Sequence, residues 1–278
     1  MDMNIVKFHS PLYVFPIVIE TEKNVDVYVD CFEMSPIPNN TIRIIQLQEP
    51  LIPDLLYNDV QNHKECYNYV LTYRDDILTT NPKARMFLCI SSWVRGYVPK
   101  EKKFSVSTVV GGKNNAKMEG YALRHNLWEN KNSIITPKDF YLSGTQHTSH
   151  IFIPWNKVNY EGNLVLGSTK EPLFDSMFHI AIENTSMKNM FSEKIIDCFQ
   201  TRTVPIYYGC PNISDYFNIE GIIVVNNLTE MISACNKLTP ETYNNMLPAI
   251  EDNFIRSNSW NNSMDQLRNV IITLLNSQ

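Results

Sequence analysis

The chain has six cysteines, at 31, 66, 89, 198, 210 and 235, and no two of them form a CxxC pair. Scattered single thiols fit a reducing compartment and argue against a disulfide framework. Positive charge is also short. Lys and Arg number 24 against 29 Asp and Glu, which leaves a net charge of −5 and a pI near 5.7. A general nucleic-acid binder, or a protein held on an anionic membrane, carries the opposite balance, so neither partner is expected. The apolar stretch at 12–19 is broken by Pro16, has no basic lead, and is too short to span a bilayer. A soluble, cytoplasmic protein is expected. Internal repeats and low-complexity tracts are absent. So are the phosphate loop GxxxxGK[ST], the dinucleotide fingerprint GxGxxG and the nucleophile elbow GxSxG. Asp75 and Asp76 are adjacent and lack the Asp-x-Asp spacing of a divalent-metal sugar-nucleotide site. His147 and His150 form an HxxH pair, but no Cys or carboxylate close in sequence completes a ligand set, so no metal is expected.

A length of 278 residues favours two domains of ordinary size, and 44% hydrophobic with 19% charged residues fits a large globular core. Strands are expected at 25–31, where VDVYVDC alternates, at 42–47 (IRIIQL), and at 85–91. A helix is expected over 53–70, with Leu55, Val60 and Tyr67 on its buried side. The polar stretch 97–103 reads as a boundary, dividing the chain into domains 1–100 and 101–278, with the last helix packing back on the first. Beyond it come a strand at 104–110, a loop Gly111-Gly112-Lys113, a helix over 116–129, strands at 178–182, 203–208 and 222–225, and two or three closing helices. Strands alternating with helices imply an α/β protein with parallel sheets covered on both faces.

The stretch at 178–209, FHIAIENTSMKNMFSEKIIDCFQTRTVPIYYG, carries the most chemistry. Phe178 to Ile182 suits a strand buried in a parallel sheet. Ser192 is a good N-cap for a helix whose apolar face is Ile195, Ile196 and Phe199. The polar loop 183–191 therefore sits at the C-terminal edge of a sheet and feeds a helix N-terminus, where open α/β folds take ligands and phosphates. Lys194 in the first turn adds a full charge at the wrong end of the helix dipole, and a bound diphosphate supplies a reason for it. A carboxylate in the same loop suits sugar or ribose hydroxyls. Spacing alone also fits an ordinary βαβ unit with a capped helix and solvated charges. Gly111-Gly112-Lys113 reads as a flexible turn, or as the second wall of the same pocket.

The same stretch resembles the donor-site motif of the α-1,3-fucosyltransferases, glycosyltransferase family 10: FHIAIENT, SEK and VPIYYG match in order. Tyr69 to Asp76 (YVLTYRDD), Leu47-Gln48-Glu49-Pro50 and Lys103 to Ser107 (KFSVS) resemble further segments of that family, also in order. The resemblance implies a GT-B fold, two Rossmann-like domains with the active site in the cleft. It implies an inverting, metal-independent transfer from a nucleoside-diphosphate sugar to a hydroxyl of an oligosaccharide or glycoprotein glycan, with no cofactor. By the same resemblance Glu193 and Lys194 sit at the donor diphosphate and sugar, and Glu183 and Asn184 line the nucleotide-sugar pocket. Thr185 and Ser192 belong to the same donor-binding motif, and Ser107 approaches the phosphates.

The family's general base precedes Ser-Pro. Here the acid stands one place later, at Glu49, with Glu33 and Asp30 in reserve. Its phosphate-binding Arg corresponds to Lys117 or Arg124, and Arg124 is favoured because a guanidinium grips phosphate through two donors. Thr185 in place of Ser, and Met190-Phe191-Ser192 in place of Tyr-Val-Thr, depart from the pattern. They leave the donor open between GDP-fucose and UDP-xylose. A soluble microbial or large-virus enzyme fits best. The alternative is a non-catalytic sugar-nucleotide or glycan-binding protein of the same fold. A sugar-nucleotide epimerase is disfavoured by the missing dinucleotide fingerprint.

Overall fold

The computed structural model describes residues 3–10, 16–99, 101–113, 115–143 and 163–277. The HxxH pair at 147 and 150 lies outside them. The chain divides into two units. One is Met1–Ile90 with Lys188–Met190 and Asn262–Gln278; the other is Ser91–Met187 with Phe191–Asn261. The chain thus leaves the first unit after Ile90, ahead of the polar stretch 97–103, and returns to it for its final segment.

In the first unit, strands β1 (Met3–Ile5) and β3 (Val18–Glu20) form a small antiparallel pair. The main sheet is parallel throughout, in the order β2 (Lys7–His9), β4 (Asn24–Val29), β5 (Thr41–Gln46), β6 (Tyr69–Thr72) and β7 (Ala84–Met86). Alternate side chains of β4 and β5 feed opposite faces. On one face Val25, Val27, Val29, Ile42 and Ile44 pack with Leu267, Ile271 and Leu274 of the last helix, α7 (Ser263–Asn276). On the other, Tyr28 and Ile45 pack with Leu56 and Val60 of α1 (Asp54–Asn62) and Ile77 of α2 (Asp75–Thr80).

The helix expected over 53–70 stops at Asn62 and gives way to a 3₁₀ turn, Lys64–Cys66. Leu55 is 73% exposed, and its neighbour Leu56 takes the buried place. Tyr67 is fully buried, but from extended backbone that leads into β6. Both faces of β6 are covered, and that burial overrides helical spacing in this stretch. The strand expected at 85–91 is confined to β7.

The second unit holds a six-stranded parallel sheet in the order β10–β9–β8–β11–β12–β13. These are β8 (Lys103–Val110), β9 (Lys138–Ser143), β10 (Leu164–Leu166), β11 (Ser176–Ile182), β12 (Val204–Tyr208) and β13 (Ile223–Val224). The sheet grows outward from β8 in one direction and restarts at β11 in the other. This is the doubly wound order, and its switch point lies between β8 and β11. The unit's helices are α3 (Glu119–Glu129), α4 (Glu193–Gln200), α5 (Leu228–Asn236) and α6 (Pro240–Ser257). All six cysteines are free. No described helix is long and apolar enough to cross a membrane.

Candidate functional site

Helix α4 begins where its sequence directs. Ser192 has extended backbone, and its Oγ accepts from the Lys194 N–H. Ile195, Ile196 and Phe199 then bury the helix's apolar face completely. Glu183, just past β11, braces this start: its carboxylate accepts from the Ser192 N–H at 2.8 Å and from Ser192 Oγ at 2.6 Å. Glu183 reaches in because residue 209 is glycine; a Cβ there would stand 2.5 Å from Glu183 Cγ.

Helix α3 approaches the same loop as closely. A Cβ on Gly120 would lie 1.8 Å from the Glu183 carbonyl oxygen, so only glycine fits, and its N–H donates to the Asn184 carbonyl at 3.0 Å. Glu119 accepts from Thr185 Oγ1 (2.9 Å), the Ser186 N–H (2.6 Å) and Tyr208 OH (3.2 Å). Burial raises the Glu119 carboxyl, but those donors outweigh it and the pKa lies below the usual value. One turn on, Arg124 donates to the Ile182 carbonyl through Nε (3.1 Å) and Nη2 (2.8 Å), and to Asn184 Oδ1 at 2.5 Å.

These elements enclose a cavity of about 160 Å³ at the ends of β8 and β11, lined by Gly111, Arg124, Lys170, His179, Glu193 and Lys194 among others. Lys170 precedes a 3₁₀ turn, Glu171–Asp175. Its Nζ donates to Glu193 Oε1 at 3.1 Å, stands 3.7 Å from Asp197 Oδ2, and lies 4.0 Å from the centre of the Trp93 ring. Lys194 Nζ reaches the same Glu193 Oε1 at 3.3 Å, and Glu183 Oε2 at 3.7 Å.

Burial alone would push the Glu193 carboxyl up; Lys194 and Lys170 overturn that and hold it far below the carboxylate range. Burial would lower Lys194, but Glu193 and Glu183 reverse the effect and its pKa is raised. Asp197 is pushed up to about 6 by burial, against the pull of Lys170 and of hydrogen bonds from Ser92 Oγ (2.8 Å) and the Trp93 N–H (2.9 Å). His179 is brought down to about 3 by burial and by the nearby Lys170 and Lys102, so it is neutral. Its Nδ1 shares a 2.8 Å hydrogen bond with Ser107 Oγ. The result is a recess with three cations and three acids around it, beside the start of a helix. That arrangement suits an anion carrying hydroxyl groups.

No protein-family model matches the chain. Among curated proteins, the α-(1,3)-fucosyltransferase FucT of Helicobacter pylori is 36% identical over 50 residues, a stretch that is 18% of this chain and 10% of that relative's length. Solved structures match over far more of it. A crystal structure of an α1,3-fucosyltransferase with GDP-fucose shares 18% identity at a TM-score of 0.51, covering 80% of this chain and 68% of the other. The sucrose-phosphate synthase of Thermosynechococcus elongatus shares 10% identity at a TM-score of 0.59, covering 91% and 74%. The chain has a GT-B glycosyltransferase fold. Its resemblance to glycosyltransferase family 10 now rests on both sequence and structure.

In the GT-B second unit, Arg124, Glu193 and Lys194 line the cavity together. Glu183, Asn184, Thr185 and Ser192 stand one layer back, bonded to the residues that shape it. Ser107 is fully buried within β8, where its Oγ donates to the Leu173 carbonyl at 2.5 Å; it ties β8 to the 3₁₀ turn and to His179 of β11 and does not line the cavity. Lys117 is exposed in the turn before α3 and also stays outside.

Glu49, Glu33 and Asp30 belong to the first unit. Glu49 is exposed. Glu33 Oε1 accepts from the Ser35 N–H at 2.8 Å, and that bond lowers its pKa. Asp30 has a left-handed backbone (φ 50°), accepts from the N–H groups of Gln48 (2.8 Å) and Glu49 (3.3 Å), and is raised by burial.

Sequence reasoning missed Lys170, Asp197, His179 and Glu119. Only Asp197 had a readable signal, since it stands one helical turn after Glu193 on the polar edge of α4.

Proposed function

We propose that this chain is a glycosyltransferase whose second unit binds a nucleoside-diphosphate sugar in the cavity at the switch point and passes the sugar to a hydroxyl of a glycan acceptor. The observation that carries the reading is the convergence of Arg124, Lys170 and Lys194 on one recess beside the start of α4. A diphosphate there meets the Arg124 guanidinium, the Lys194 ammonium group and helix N–H donors, with Lys170 behind Glu193, and these serve in place of a divalent cation. The leaving diphosphate gains negative charge as the glycosidic bond breaks, and these cations stabilise it. Loss of Arg124 or Lys194 is expected to slow transfer by roughly 10²–10³-fold, as for a lost oxyanion donor.

The acceptor hydroxyl has a very high pKa, so a carboxylate must take its proton as the oxygen attacks the anomeric carbon. Glu49 is the base the resemblance implies. Asp30 holds the backbone of its loop through two N–H groups. A single displacement of this kind inverts the anomeric centre, through an oxocarbenium-like transition state. Family resemblance favours GDP-fucose as donor, with UDP-xylose as the drifted alternative.

A thermal-shift screen with GDP, UDP and their sugars is the first test. A bound ligand raises Tm by mass action, and no shift with any nucleotide would count against the reading. Anomeric configuration of the first product, followed by NMR, tests inversion. Glu49→Gln then separates an enzyme from a binding protein: the enzyme loses transfer and keeps donor affinity.

A further inference from the structure

We propose that Lys170 is a positioning residue: it keeps Glu193 anionic and in place once Lys194 has turned from Glu193 to the donor diphosphate. The inference rests on the donor-binding reading above, and it assigns different tasks to two lysines that look alike.

The geometry separates them. Both ammonium groups meet the same oxygen, Glu193 Oε1, at 3.1 Å from Lys170 and 3.3 Å from Lys194. Lys170 is fixed on its other sides by Asp197 Oδ2 at 3.7 Å and by the Trp93 ring at 4.0 Å, and its side chain is 16% exposed. Asp197 is itself anchored by Ser92 Oγ and the Trp93 N–H. Lys194 stands in the first turn of α4, 25% exposed, and its remaining contacts are Ser192 Oγ at 3.1 Å and Glu183 Oε2 at 3.7 Å. Lys170 is clamped between two carboxylates and an aromatic face, and Lys194 is the more exposed of the two.

Charge counting gives the reason for having both. Arg124, Lys170 and Lys194 balance Glu183, Glu193 and Asp197, so these six groups sum to no net charge. A diphosphate must draw a cation away from its carboxylate. When Lys194 turns to the phosphates, Glu193 would be left buried with no counter-charge, and a buried carboxylate in that state takes up a proton. Lys170 prevents this. Glu193 stays ionised and can accept hydrogen bonds from donor hydroxyls.

The test compares Lys170→Met, Lys170→Arg and Lys194→Met in the full chain. Calorimetric titration with whichever of GDP or UDP raises Tm gives the nucleoside-diphosphate Kd, and kcat is followed with pH using the matching nucleotide sugar. Lys194→Met is expected to weaken the nucleoside diphosphate about tenfold or more, the loss of one charged contact. Lys170→Met should leave that Kd within about threefold of wild type. It should add an acid limb to the kcat profile above about pH 5, because kcat reports groups in the bound complex. Lys170→Arg should remove that limb.

The groups facing Glu193 are Lys170, Lys194, Arg124, Glu183 and Asp197. Asp197 titrates near 6, so the limb must also survive in Lys170→Met combined with Asp197→Asn. A limb that vanishes there overturns the inference. So does a nucleoside-diphosphate Kd as damaged by Lys170→Met as by Lys194→Met. If wild type itself binds no nucleotide, the donor reading fails first, and that outcome is distinct.

Discussion

Gly120→Ala gives the sharpest test of how this site is built. Alanine inside a helix is normally worth about 1 kcal/mol over glycine. Here the added Cβ would lie 1.8 Å from the Glu183 carbonyl oxygen and 2.8 Å from that of Asn184. Both are backbone atoms, so no side-chain rotation relieves the contact. Helix α3 must retreat by more than an ångström to reach even a tight separation. The retreat strains the Gly120 N–H bond to Asn184, the Arg124 bonds to Ile182, and the Glu119 bond to Ser186. Overpacking costs roughly 1–3 kcal/mol and each weakened hydrogen bond about 1 kcal/mol. Against the helix-propensity gain, the net loss is about 3 kcal/mol at the low end of these ranges. For a chain of this size that lowers Tm by roughly 6–12 °C. Differential scanning calorimetry measures it, with Gly167→Ala as the control, because nothing lies within 4 Å of a Cβ at Gly167. Nucleotide affinity should fall with Tm, since Arg124 travels with α3. A Gly120→Ala protein that melts at or above wild type refutes the close approach of α3 to the 183–184 loop.

Asp197→Asn should remove a pH dependence. Its carboxyl titrates near 6 when folded and near 3.8 when unfolded, so wild type gains stability as pH falls through that window and loses it as pH rises. Asparagine cannot ionise, so the variant's stability relative to wild type should fall between pH 7 and pH 4, by at most about 3 kcal/mol; a constant difference across that range contradicts the shift. Ser192→Ala removes both the α4 cap and the partner of Glu183, and should cost about 1–2 kcal/mol in chemical denaturation. Arg124→Lys keeps the charge but loses the paired grip on Ile182 and Asn184. Calorimetry should show weaker nucleotide binding with little change in far-UV circular dichroism.

The central strands and the α4 start were legible because local and global signals agree there. FHIAI, the Ser192 cap and the Ile195–Ile196–Phe199 face each specify what the sheet and helix require. Arg124 was readable from its helix position relative to Lys117. Residues 53–70 misled because Leu55 and Leu56 offer two registers, and only packing against β5 chooses Leu56. Strands β9 and β10 were not foreseen; β10 is three residues long, below what alternation can reveal. Lys170 stands just before a short 3₁₀ turn, in a stretch with no period. It meets Glu193 across 23 residues of chain and Trp93 across more, so its role exists only after folding.

The return of α7 to the first unit sets an order for synthesis. Leu267, Ile271 and Leu274 complete a core otherwise made by residues before position 90. During translation that sheet face waits uncovered while the whole second unit emerges, and the second unit can close first. Loss of the final helix would therefore damage the beginning of the protein. A chimera that exchanges first units between relatives has to carry three separate pieces of chain, because no single cut in the backbone releases that unit whole.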